Sequence, residues 1–178
     1  QRQMCIRDRY QTTAFLRERL EELGIRILES GLKTGLIAEI GSGQPVVALR
    51  ADIDALPILE QTNLPYQSQH PGVMHACGHD FHQTSLLGAA ALLKEKEDQL
   101  EGTVRLIFQP AEEISEGASD VLATGLLEDV QGIIGFHNMP QLKAGQLALN
   151  AGAMMAGVEK FKVTVTAVSY THLTLPTN

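Results

Sequence analysis

Apolar residues recur along the chain at three different spacings, and each predicts a kind of element. Over residues 12–23, Phe15, Leu16, Leu20 and Leu23 stand among charges at helical spacing, which predicts an amphipathic helix closed by Gly24. Residues 36–40 and 46–51 are short apolar runs separated by Gly41-Ser42-Gly43-Gln44-Pro45, which reads as two strands and a turn, with residues 46–49 expected to be buried on both sides. Prolines 57, 65 and 71 and scattered polar residues make residues 54–74 a long irregular loop of the kind that carries function. Residues 84–100 predict a long helix, apolar through Leu86, Leu87, Ala90, Ala91 and Leu93 and charged from Lys94. A strand over residues 103–108, halted by Pro110, a helix over residues 118–127 and a strand over residues 132–136 follow. Apolar strands alternating with helices predict an α/β fold, a mostly parallel sheet with helices on both faces.

Residues 160–167 follow a different rule. Phe161, Val163 and Val165 alternate strictly with Lys162, Thr164 and Thr166, the mark of a half-exposed antiparallel strand. That strand is expected to open a second domain that this chain does not complete. Residues 1–9 and 169–178 continue neither neighbouring pattern and are similar to translated sequencing-adapter read-through. Both are read as non-native tails. Cys5 and His172 would then have no function.

Composition narrows the picture. A hydrophobic content of 44% in 178 residues supports a sizeable core and excludes disorder and collagen-like repeats. No apolar run approaches the ~18 residues of a membrane helix and no charged-then-apolar leader is present, so the expectation is a soluble, cytoplasmic protein with no membrane partner. The net charge of −7 becomes −9 when the three arginines and one aspartate of residues 1–9 are set aside, a balance that repels phosphate backbones and argues against nucleic acid. Two cysteines exclude a disulfide framework. Histidines 70, 75, 79 and 82 crowd one stretch, of which His70 reads as plain loop and His75 and His82 stay ambiguous.

Polar residues follow the carboxyl ends of the apolar strands in turn. Asp52 and Asp54 follow the 46–51 strand, Glu112 and Glu113 the 103–108 strand, and His137 the 132–136 strand. In an open parallel sheet those ends converge on the ligand crevice. Cys77-Gly78-His79-Asp80, expected in a loop, could aim two side chains at the same centre, with Gly78 leaving space. Cys77, His79, Glu113 and His137 make a ligand set for zinc or another first-row divalent metal. A metal beside a second carboxylate suits amide hydrolysis, with Glu112 as general base if Glu113 is the ligand, although the pair could be exchanged. Asp52 could bond the far nitrogen of a ligand histidine. Two other readings remain: Cys77 as a nucleophile activated by His79 or His137, or a non-catalytic module with a structural metal on Cys77, His79 and His137.

The segments ALRADIDALP, MHACGHDFH, GTVRLIFQPAEE and GFHNMP, in this order and spacing, resemble the aminoacylase-type metallopeptidases, in the branch of hippurate hydrolase, N-acyl-amino-acid amidohydrolases and indole-acetyl-amino-acid hydrolases. The resemblance implies a zinc-peptidase-like catalytic domain, with residues 10–157 as its amino-terminal part and residues 158–168 as the start of an inserted lid domain that makes a homodimer. It implies metal ligands at Cys77, His79, Glu113 and His137, the general base at Glu112 and a supporting carboxylate at Asp52. It further implies two divalent metals, zinc, manganese, cobalt or nickel, sharing the Cys77 thiolate, and a small N-acyl amino acid, hippurate-like, as substrate. The family's last metal-binding histidine and its lid histidine are absent from this chain. A fragment with little or no activity of its own, prone to aggregate, is therefore expected.

Overall fold

The structure, a computed structural model, describes residues 2–154 and 157, with side chains from Tyr10 onward. The strand expected at 160–167, the domain start at 158–168, the tail at 169–178 with His172, and the Cys5 side chain lie outside the described residues. The chain divides into two units, Gln1–Met139 and Pro140–Asn178. In the second, residues 140–154 carry turns and no regular element, and the backbone N–H of Gln146 donates to Lys143.

The first unit contains α1 (Arg2–Glu22), β1 (Arg26–Leu28), β2 (Leu36–Ser42), β3 (Val46–Asp52), α2 (His79–Lys94), a short 3-10 turn (Glu97–Gln99), β4 (Gly102–Gln109), α3 (Gly117–Ala123) and β5 (Val130–Gly135). The sheet order is β1-β2-β4-β3-β5. β3 runs parallel to both β4 and β5, while β2 is antiparallel to β1 and β4. Four strands thus share one direction and β2 alone is reversed, so the mostly parallel sheet is present. The two strands joined by the 41–45 turn do not pair, because β4 lies between them.

Strand alternation sends side chains to two covered faces. Leu36, Ala38 and Ile40 of β2, Ala51 of β3 and Leu106 and Phe108 of β4 pack with Leu16 and Leu20 of α1 and Leu86 and Ala90 of α2. Ile37, Ala48 and Ile107 face the other way, against Val121 of α3. At about 1.5–3 kcal/mol for each fully buried large apolar side chain, the first face carries most of the stabilisation. The second also buries Arg105, which donates to Glu39 at 2.9 Å and Asp129 at 2.6 Å, so the cation is paired on both sides.

Four boundaries differ from expectation. α1 begins at Arg2, ten residues before the periodic stretch, and ends where Gly24, at φ 67°, lets the N–H of Ile25 return to Leu20. Val46 and Ala48 are buried but Val47 is 42% exposed, so β3 is covered unevenly. The second helix starts at His79 rather than Thr84, which moves His79 and Asp80 from a loop into its first turn, and it ends at Lys94. α3 closes at Ala123, four residues before Leu127.

Candidate metal centre

Asp52 pairs with Gln109 across β3 and β4, so those two strands end level with each other, and β5 ends beside Arg50. The three parallel strands therefore deliver residues 52–54, 112–113 and 137–138 to one sheet edge. α2 adds its first turn from the side. Its buried stripe runs His79, His82, Gln83, Leu86, Ala90, so one helical face supplies polar groups at its start and core at its middle.

His79 is 1% exposed and stands at the centre. Its Nδ1 lies 3.4 Å from Asp54, and its Nε2 lies 3.7 Å from Asp52, 3.7 Å from Glu113 and 3.9 Å from Glu112. Among the described residues neither ring nitrogen has a hydrogen-bond partner, nor does the buried Oε1 of Glu113. Burial opposes charge on this imidazole, yet the carboxylates of Asp54, Asp52 and Glu113 raise its pKa above the ordinary value. Asp54 is also buried, which works against its ionisation. Its contact with His79 and the N–H groups of Glu113 and Glu112, each donating at 3.1 Å, outweigh that and lower its pKa.

Those two N–H groups point at Asp54 because the chain turns sharply at Ala111, held at φ 55°. The Ala111 carbonyl then accepts from the N–H groups of Glu116 and Gly117. Left-handed backbone at a residue with a Cβ is strained, and strain of this kind gathers at functional sites. Gly78, the residue before α2, has φ 81° and needs to be glycine for a second reason: a Cβ there would stand 2.4 Å from the Asn138 amide oxygen.

Three groupings of ligand-capable atoms, each within 4.8 Å of one another, occur among the described residues: Cys77 with His79 and His137, His79 with Glu112 and Glu113, and Asp52 with His79 and His82. A tetrahedral ion about 2.0–2.3 Å from its ligands spaces them about 3.3–3.8 Å apart, so the first two need only a small contraction. The third is already engaged, since Nδ1 of His82 donates to Asp52 at 2.6 Å. Cys77, Glu113 and His137, the other sequence-derived ligands, are thus all in reach of His79. The Glu113 carboxylate beside the Cys77 thiol, with burial, pushes the thiol up to about 11. Four carboxylates around orphaned imidazole nitrogens and a thiol form a donor set that suits a divalent cation.

The supporting roles fall differently from expectation. Asp52 is held by His82 and by Arg50 at 2.8 Å, and it is Asp54 that stands at the far nitrogen of His79. The spacing Asp52-Ile53-Asp54, which sends both carboxylates to one side, was the available signal. His82 belongs to the site through Asp52, and Asn138 through His82, a contact with no sequence signal of its own.

The family profile described as Peptidase family M20/M25/M40 matches residues 48–176. The N-acetyl-L-cysteine deacetylase of Bacillus subtilis is 51% identical over 174 residues, 97% of this chain and 42% of that protein. An Arabidopsis thaliana protein, IAA-amino acid hydrolase ILR1-like 5, is 47% identical over 156 residues, 87% of this chain and 36% of that protein. Among solved structures, the Bacillus subtilis YXEP protein, described as a dinuclear metal binding peptidase from the M20 family, superposes with a TM-score of 0.72 at 58% identity, covering 74% of this chain and 38% of that one. The chain thus spans about two fifths of the length of the relatives it matches.

Proposed function

The chain belongs to the peptidase family M20/M25/M40, and from that premise we propose that it serves metal-dependent hydrolysis of the amide bond of an N-acyl amino acid or a related conjugate. The observation that carries the reading is the convergence on His79, whose two ring nitrogens and the Oε1 of Glu113 have no partner among the described residues, with Cys77 and His137 within ligand distance of the same imidazole. Cys77, His79, Glu113 and His137 would hold two divalent ions, of the zinc, manganese, cobalt or nickel kind, together with ligands from beyond this chain. A divalent ion bound there supplies carbonyl polarisation and a lowered pKa for water. Glu112 is 42% exposed against 22% for Glu113, which supports Glu112 as the base that takes the proton of the attacking water and passes it to the leaving amine. Asp54 keeps His79 oriented from behind, and Asp52 does the same for His82.

The named relatives act on N-acetylcysteine and on indole-acetyl amino acids, and these together with hippurate-like amides form the substrate class. The acidic surroundings that raise the Cys77 thiol weigh against a nucleophile, which needs the thiolate without a metal to stabilise it. A homodimer through the second domain and a cytoplasmic location complete the proposal; no helix among the described residues is long and apolar enough to cross a membrane.

The test uses the protein that carries this chain. A chelator is expected to abolish hydrolysis of N-acyl amino acids and a divalent metal to restore it, while Glu112→Gln keeps the metal and lowers turnover by about 10²–10⁴-fold. Turnover indifferent to the chelator but blocked by iodoacetamide would replace this reading with the cysteine mechanism.

A further inference from the structure

Asn138 follows His137 directly and touches three parts of the site. Its carbonyl accepts a hydrogen bond from the Nδ1–H of His137 at 2.7 Å, which keeps the proton on Nδ1 and leaves the Nε2 lone pair available. Its backbone N–H lies 3.0 Å from Nε2 of His82, and its amide oxygen lies 2.6 Å from the same atom. Backbone and side chain of Asn138 thus meet His82 at one ring nitrogen. The amide also lies over Gly78, in the space that any Cβ would take.

His82 continues the connection. Its Nδ1–H donates to Asp52, Asp52 accepts from Arg50, and Arg50 donates to Gln109 at 2.9 Å. The ends of β3, β4 and β5 are thereby tied to the start of α2 through one line of bonds. His137 needs such a tie. It is exposed, just past the end of a strand with a single sheet neighbour among the described residues, whereas His79 is locked in a buried helical turn.

We propose that Asn138 is a positioning residue, which keeps the His137 imidazole in register with Cys77 and His79 by wedging its amide between Gly78 and His82. The proposal rests on Cys77, His79 and His137 being metal ligands. Asn138 contributes no ligand atom and acts through its neighbours, so the supporting shell here is a backbone carbonyl and a side-chain wedge from one residue.

The test is titration of the protein that carries this chain with Co²⁺, followed by the visible bands and by the thiolate charge-transfer band of Cys77, with Zn²⁺ affinity measured by competition against a chromophoric chelator. Asn138→Ala is expected to weaken metal affinity about 10-fold or more and to change the visible bands while the thiolate band persists. In a double-mutant cycle with His137→Ala the losses are expected to be far from additive, because the alanine at 138 acts only through His137. Asn138→Asp, which keeps the oxygen and the wedge, is expected to restore binding. Circular dichroism of the metal-free variants separates these effects from unfolding. Should Asn138→Ala not fold, Asn138→Ser, too short to reach His82, carries the same expectation. Parent-like affinity and spectrum in a folded variant, or additive losses in the cycle, would overturn the positioning role alone. A parent chain that binds no Co²⁺ would overturn the ligand reading beneath it and the proposal with it.

Discussion

The Oδ1 of Asp54 stands 3.4 Å from Nδ1 of His79, the histidine common to all three ligand groupings. The same carboxylate accepts the N–H groups of Glu112 and Glu113. It therefore orients the His79 ring and the backbone of the acidic pair at once. Asp54→Asn would present an NH₂ group to one of those N–H donors and leave it unsatisfied in a buried place. The metal-free chain should lose about 1–3 kcal/mol in urea unfolding, and metal affinity should fall about 10–100-fold by chelator competition. Unchanged values in both would remove Asp54 from its supporting role.

Ala111 offers a test of strain. Glycine adopts φ 55° freely, so Ala111→Gly relieves about 1–2 kcal/mol in the folded chain and gives back about 0.4–1 kcal/mol through a freer unfolded chain, a net gain of up to about 1.6 kcal/mol. Ala111→Val places a β-branched residue in a region closed to it and should cost about 2 kcal/mol or more. Thermal unfolding of the two variants in opposite directions is the expected result; a loss of stability in the glycine variant would mean that the turn is not strained.

Glu97 accepts the N–H of Gly41 at 3.0 Å and pairs with Lys94 at 2.5 Å, and the Lys94 contact first and the Gly41 N–H second lower its pKa below the ordinary carboxylate value. A depressed folded pKa stabilises above the unfolded pKa of about 4.5, and that contribution is lost as pH falls through the folded pKa. Glu97→Gln should therefore melt below the parent at neutral pH, and the two melting temperatures should converge under acid. A gap of constant size across that range would contradict the assignment.

Ile134, 69% exposed on the edge strand β5, leaves an apolar edge open among the described residues. Ile134→Lys should reduce self-association of the chain, seen by light scattering, while changing stability by no more than about 0.5 kcal/mol. Equal scattering from both proteins would place the sticky surface elsewhere.

How far the sequence could be read depended on whether a residue's partner was near in the chain. Leu36 to Ile40, Val46 to Ala51 and Thr103 to Phe108 announce strands by local character alone, and the polar residues after them mark the site edge because strand ends are local too. The insertion of β4 between β2 and β3 could not be seen, since it depends on pairing between distant residues. The helical state of His79 was hidden by composition: histidine and glycine around Asp80 look like loop, although an acidic residue in a first turn suits a helix start. Asn138 stayed invisible for the same reason as β4, because its meaning lies in His82 and Gly78, far behind it in sequence.

The placement of β4 also sets an order of events as the chain is made. β2 and β3 are neighbours in sequence but exchange no hydrogen bonds with each other, so β2 has only β1 to pair with until residues 102–109 fill the gap. Closing so long a loop carries an entropic cost, and β4 is the element that completes the sheet's centre. Asp52 and Gln109 are the last pair of that ladder, so the edge that carries the carboxylates is aligned by the same strand that fills the core.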